Sequence, residues 1–176
     1  NIDVVRDKAG RFTELRQVWR FDELFSAAIT IDFDEDADGT LSDDELAKVM
    51  AIVKESIAEY DFYTALRVNG KPFEFYEPDE INAYFEDGKL IMLLAVEPSK
   101  PYDFSDGPLR VSASDTSFYV AFDYDKPNVV IEGNSTGCET KVEHPDFDTL
   151  YNDNWMSLTE AFFDDPANTA NLGDEF

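Results

Sequence analysis

Asp34-Glu35-Asp36-Ala37-Asp38-Gly39-Thr40-Leu41-Ser42-Asp43-Asp44-Glu45 is the stretch on which the reading of this chain turns. It fits the calcium-loop pattern D-x-[DN]-x-[DN]-G-x5-E at every specified position. Asp34, Asp36 and Asp38 are spaced to aim three carboxylates at one centre. Gly39 permits the sharp turn that follows. Thr40 is expected to offer its backbone carbonyl, Ser42 to hold a bridging water, and Glu45 to close the shell with both oxygens. A Ca2+ ion needs six to eight hard oxygens, and a loop of this kind supplies them. The competing reading is an acidic turn before a well-capped helix, because Ser42-x-x-Glu45 is also a capping box.

Outward from the loop, the apolar residues fall at helical spacing on both sides. Phe21, Leu24, Phe25, Ala28 and Ile29 make one stripe, and Leu46, Val49, Met50, Val53, Ile57 and Tyr60 make another. Residues 21–60 are therefore expected to form an EF-hand helix–loop–helix, with both stripes buried as core. Before it, Ile2 to Trp19 reads as a hairpin turning at Asp7-Lys8-Ala9-Gly10.

After it, the period changes to that of strands. The candidates are Phe62–Val68, Pro72–Tyr76, Lys89–Val96, Leu109–Ser112, Phe118–Phe122, Val129–Glu132 and Glu139–Glu143. Asn69-Gly70, Asp87-Gly88, Asp106-Gly107-Pro108, Lys126-Pro127-Asn128 and Gly133-Asn134 separate them as turns. Pro78 to Phe85 fits neither period. Trp155 to Phe163 predicts a short C-terminal helix, followed by a loose polar tail. The expected fold is α+β: one domain over residues 1–176, an antiparallel β body (sheet or sandwich) with the helix–loop–helix inserted at 21–60.

Composition narrows the function. A chain of 176 residues with 43% hydrophobic residues, 15 of them Phe, can bury a core without disulfide staples. Its net charge of −25 repels nucleic acid and anionic lipid, so neither is expected as a partner. The longest apolar run, Leu90 to Val96, has seven residues, too few to enter and cross a membrane. The chain starts at Asn1 without a signal peptide, as expected of a mature chain whose targeting segment has been removed.

Catalysis has little to work with. His144 is the one His and Cys138 the one Cys, which is too few for a zinc cage and leaves a single candidate base. With 39 acidic residues, some carboxylate pair always has a glycosidase spacing, so such a pair carries no information. No Gly-rich phosphate loop is present. The expectation is a non-enzymatic protein. A single calcium loop inside a β body further suggests a structural ion rather than a switch.

A set of segments, taken in order, resembles a known family. They are Val18-Trp19-Arg20-Phe21-Asp22-Glu23, the acidic loop, Tyr60-Asp61-Phe62-Tyr63, Arg67-Val68-Asn69-Gly70-Lys71, Ser114 to Phe122, Cys138, and Asn171-Leu172-Gly173-Asp174-Glu175-Phe176. Together they are similar to the bacterial family called domain of unknown function 1007, over nearly the whole chain. The resemblance implies a periplasmic or secreted protein, often described as the periplasmic component of an ABC-type transport system. Its members are commonly encoded beside nickel, cobalt or zinc permeases. It implies an accessory to divalent-metal transport, with a membrane metal permease as partner. The alternative is a calcium-stiffened interaction or scaffolding module unrelated to transport.

The chain departs from the family at three places. No His-Pro-His stretch opens it, so the natural transition-metal ligands are not among these residues. The usual Asp-Pro-Thr-Tyr is Asp115-Thr116-Ser117-Phe118. Members carry a second Cys just after the point where this chain stops, which implies that Cys138 is half of a disulfide; a small buried hydrophobe is the equal alternative.

Overall fold

The computed structural model describes residues 1–115, 120–122 and 129–143. Strands β1 (Ile2–Arg6) and β2 (Phe12–Arg20) form the first hairpin. Helices α1 (Glu23–Phe33) and α2 (Asp43–Ala58) follow, with the acidic loop between them. Then come β3 (Thr64–Val68), β4 (Lys71–Pro72), β5 (Phe75–Tyr76), β6 (Ile81–Glu86), β7 (Lys89–Pro98), β8 (Leu109–Ala113) and β9 (Val129–Glu132). The architecture is α+β: mostly antiparallel sheets with two helices.

The larger sheet runs β5-β7-β2-β1-β9, with β6 also paired to β7; the smaller runs β4-β3-β8. β7 is the spine of the larger sheet. Its alternation buries Leu90, Met92, Leu94 and Val96 on one face, and these meet Phe12 and Leu15 of β2 and Leu46, Val49, Met50 and Ile57 of α2 in a single cluster. Burial of each such side chain contributes roughly 1.5–3 kcal/mol. Gln17 is the polar member of this interior. It is only 2% exposed, and its amide donates to Thr64 Oγ1 at 2.7 Å, linking β2 to β3 across the two sheets. Thr64 in turn donates to the Phe62 carbonyl at 2.9 Å, so the buried polar chain is satisfied.

The hairpin turns form where Gly and Asn/Asp call for them. Asn69-Gly70 joins β3 to β4, and Asp87-Gly88 joins β6 to β7; both residues of each pair have positive φ, as a two-residue hairpin turn requires.

Several expectations are corrected. β9 pairs parallel to β1, so the body is not wholly antiparallel. The segment expected as one strand at Pro72–Tyr76 divides: β4 pairs with β3, and β5 crosses to β7. Pro72 faces Arg67 at a position whose N–H would point away from β3, and Phe73 still donates to the Leu66 carbonyl at 2.8 Å before the chain crosses to β7. Before β3, Asp61, Phe62 and Tyr63 form a left-handed turn with φ of 49°, 53° and 50° rather than the start of a strand. Such a conformation costs roughly 1–2 kcal/mol per residue. It is held by burial of Phe62 and by the Ser114 N–H bonded to the Tyr63 carbonyl. Of the ambiguous residues at 78–85, those from Ile81 onward belong to β6, and Glu139–Glu143 forms no strand.

The α1 stripe is also corrected. Leu24 and Ile31 are 82% and 79% exposed, and Phe25 lies stacked on Phe21 at the surface. The buried residue of α1 is Ser26, whose hydroxyl accepts from the Leu90 N–H at 2.9 Å and donates to the Asp22 carbonyl at 2.6 Å. A small polar anchor lets the helix backbone approach β7 and turns Ile29 and Phe33, rather than Leu24 and Phe25, toward the core. The α2 stripe lies as expected, except that Tyr60 beyond its end is exposed. Val120 to Phe122 is not in a strand. The rest of the Phe118–Phe122 expectation, the Lys126-Pro127-Asn128 turn, the Trp155–Phe163 helix, the tail and His144 lie outside the described residues. Among the described residues no helix is long and apolar enough to cross a membrane.

Candidate metal centre

The acidic loop begins where α1 stops. Asp34 is the C-terminal cap of α1, and its N–H still reaches the Thr30 carbonyl at 3.0 Å. The chain then folds around the Asp34 carboxylate. Its Oδ1 accepts from the Asp38 N–H at 3.1 Å and its Oδ2 from the Gly39 N–H at 2.7 Å. Ala37 and Gly39 take positive φ of 57° and 86°, the conformation that turns these N–H groups inward. Asp38 Oδ1 accepts from the Thr40 N–H at 2.8 Å and from the Thr40 hydroxyl at 2.7 Å.

This folding brings Asp34, Asp36 and Asp38 together: one carboxylate oxygen from each lies within 4.8 Å of the others. Oxygens that share a calcium ion at about 2.3–2.6 Å are at most about 5.2 Å apart. The donor set is all hard oxygen, the kind that suits magnesium, calcium or manganese and not a thiolate- or imidazole-seeking metal. Like charge is the dominant unfavourable feature. At Asp36 the hydrogen bond from the Asp38 N–H favours the ionised form. The Asp38 charge, desolvation, Asp34 and Glu45 outweigh it and hold the carboxyl above its ordinary value.

Glu45 stands apart from that trio and closes the loop instead. Its Oε1 accepts from the Glu35 N–H at 2.7 Å, and its Oε2 accepts from the Ser42 N–H at 2.8 Å and the Ser42 hydroxyl at 2.6 Å. Ser42 is the N-cap of α2 with a complete capping box, so the second reading of the sequence is realised here. Donation by the Ser42 hydroxyl first, then by the Ser42 and Glu35 N–H groups, holds the Glu45 carboxyl down at about 2. Glu45 is also buried, an uncommon setting for a glutamate, and the Lys48 charge adds to the hydrogen bonds that favour its ionised form.

Of the sequence-predicted set, the three aspartates converge, Thr40 binds Asp38, and Ser42 and Glu45 bind each other. One pair was not legible in the sequence. Lys48 Nζ lies 2.7 Å from both carboxylate oxygens of Glu35, tying the start of the loop to α2. Thirteen residues separate them, a spacing no helical rule marks. The pair is exposed, so solvent screening leaves it little to contribute to stability. Away from the loop, Arg6 donates to Cys138 Sγ at 2.6 Å and to the Asn134 carbonyl, and Cys138 is a free, half-buried thiol.

No curated protein and no solved structure matches the sequence. A family model does: that of the family described as Protein of unknown function (DUF1007) matches residues 1–176, the whole chain, and the chain belongs to that family.

Proposed function

We propose that the chain is a calcium-binding, non-enzymatic protein in which residues 21–60 work as an EF-hand. One ion would be held by Asp34, Asp36, Asp38, Thr40, Ser42 and Glu45. The observation that carries this reading is the convergence of three carboxylates in a loop whose own N–H groups already hold Asp34 and Asp38 in place. A bound cation would relieve the mutual repulsion of these carboxylates, the chemistry such an oxygen cluster can perform. The α2 face behind the loop is buried against the sheet, which supports an ion that stiffens the fold rather than one that uncovers an apolar groove.

The wider role in this reading is that of a periplasmic accessory to nickel, cobalt or zinc transport, acting beside a membrane permease. It rests on the family resemblance. In-cell cross-linking of the full-length protein followed by mass spectrometry tests it. Cross-links to a metal permease are expected. Calcium binding with no permease cross-link would favour the calcium-stiffened interaction module. The bare α1 surface at Leu24 and Ile31 is the observation that supports that second reading.

A further inference from the structure

We propose that the groove between β6 and α2 is a docking site for an extended segment of a basic polypeptide, which adds a strand to the free edge of β6. The groove encloses about 660 Å³. Its floor is apolar, from Leu46 and Met50 of α2 and Ile81 and Ala83 of β6. Along its α2 wall, Ala47 and Ala51 are one turn apart and carry no bulk that would keep a chain away.

The edge of β6 supplies the directional part. Glu86 and Lys89 flank the two-residue turn at Asp87-Gly88 and are therefore a hydrogen-bonded pair. The ladder then alternates, so Glu86, Tyr84 and Asn82 bond to β7, while the N–H and C=O groups of Phe85, Ala83 and Ile81 point away from it. Among the described residues no strand pairs with that edge, and no backbone hydrogen bond reaches it. Strand addition to such an edge draws affinity from main-chain bonds and selectivity from alternate side chains that enter pockets. Ile81, Ala83 and Phe85 face inward, so an added strand would continue an apolar inner face.

Charge selects the occupant. Asp43, Glu55, Glu77, Asp79 and Glu80 stand around the groove, and its one lysine, Lys54, is already bonded to the Asp79 carbonyl at 2.7 Å. A second copy of the chain would bring the same acidic rim against itself. Residues 144–176 of the same chain contain no Lys or Arg. A segment alternating Lys or Arg with apolar residues complements both the rim and the floor.

The test uses the full chain and a fluorescent heptapeptide alternating lysine and valine, read by anisotropy at roughly physiological salt to suppress diffuse attraction. Saturable binding is expected, and methylation of every peptide backbone nitrogen, which keeps the charge, should weaken it at least tenfold. Ala83→Pro removes an outward N–H at an edge where proline is tolerated, and Ala51→Arg fills the wall with a like charge to the peptide. Each should also weaken binding at least tenfold while melting like the parent. Should Ala83→Pro fail to fold, Ala51→Arg and peptide-induced protection of the Ala83 amide from exchange decide the matter. No saturable binding would overturn the proposal. Equal binding of the methylated peptide, or of a folded Ala51→Arg, would overturn it too. So would a light-scattering dimer whose formation protects the Ala83 amide.

Discussion

The Glu35 N–H donates to Glu45 Oε1 at 2.7 Å, so the last acidic residue of the loop is fastened to its second residue. The same carboxylate receives both the backbone and the side chain of Ser42 on its other oxygen. One side chain thus joins the end of α1 to the start of α2.

A pH dependence follows from that arrangement. The folded Glu45 carboxyl sits at about 2, below its ordinary value of 4.5, so between these values the unfolded chain binds more protons than the folded one. The stability Glu45 contributes is fully present above pH 4.5 and is lost as pH falls toward 2. In chelator, Glu45→Gln should be less stable than the parent at neutral pH, and the difference should shrink through that window. Paired urea titrations at stepped pH check it; a difference independent of pH would show that the carboxylate is not held as described.

Asp36 should behave in the opposite sense. Its carboxyl is held above the ordinary value, so its charge is unfavourable to the fold. Asp36→Asn is expected to leave the melting temperature in chelator unchanged or raised, and to reduce the gain on adding calcium. A variant that loses stability equally with and without calcium would mark Asp36 as a structural turn residue instead.

Ser26 is the anchor of α1. Removing its hydroxyl in Ser26→Ala leaves the Leu90 N–H buried without its partner, at a cost of about 1–3 kcal/mol. Chemical denaturation should report that loss. Leu24→Ala on the same helix, at an exposed position, should change stability by no more than about 0.5 kcal/mol.

The hairpins were legible because Asn69-Gly70 and Asp87-Gly88 encode their own backbone angles, and the α2 face because its stripe spans four turns. The loop was legible because its chemistry is local. Longer-range choices were not. The α1 stripe of Leu24, Phe25 and Ala28 has helical period, but period says only which residues share a face. The Ser26 bond to Leu90, 64 residues away, decides which face is covered. The parallel pairing of β9 on β1 joins residues more than a hundred apart, and the crossing of the chain between sheets after Pro72 depends on partners that no local pattern names. At the candidate site, the aspartate spacing predicted the convergence, while the Glu35–Lys48 brace, thirteen residues apart, left no local mark.

The central claim is that this loop selectively binds calcium, and a thermal melt of the full chain tests it most directly. Melts are compared in chelator, in calcium at about one hundred times the dissociation constant, and in magnesium at the same ionic strength. Mass action predicts about 2.7 kcal/mol of added stability in calcium, a rise of several degrees for a domain of this size. That rise should vanish in Asp34→Ala and Glu45→Gln. An equal rise in magnesium, or none in calcium, would contradict the account and leave the acidic loop as a capped turn.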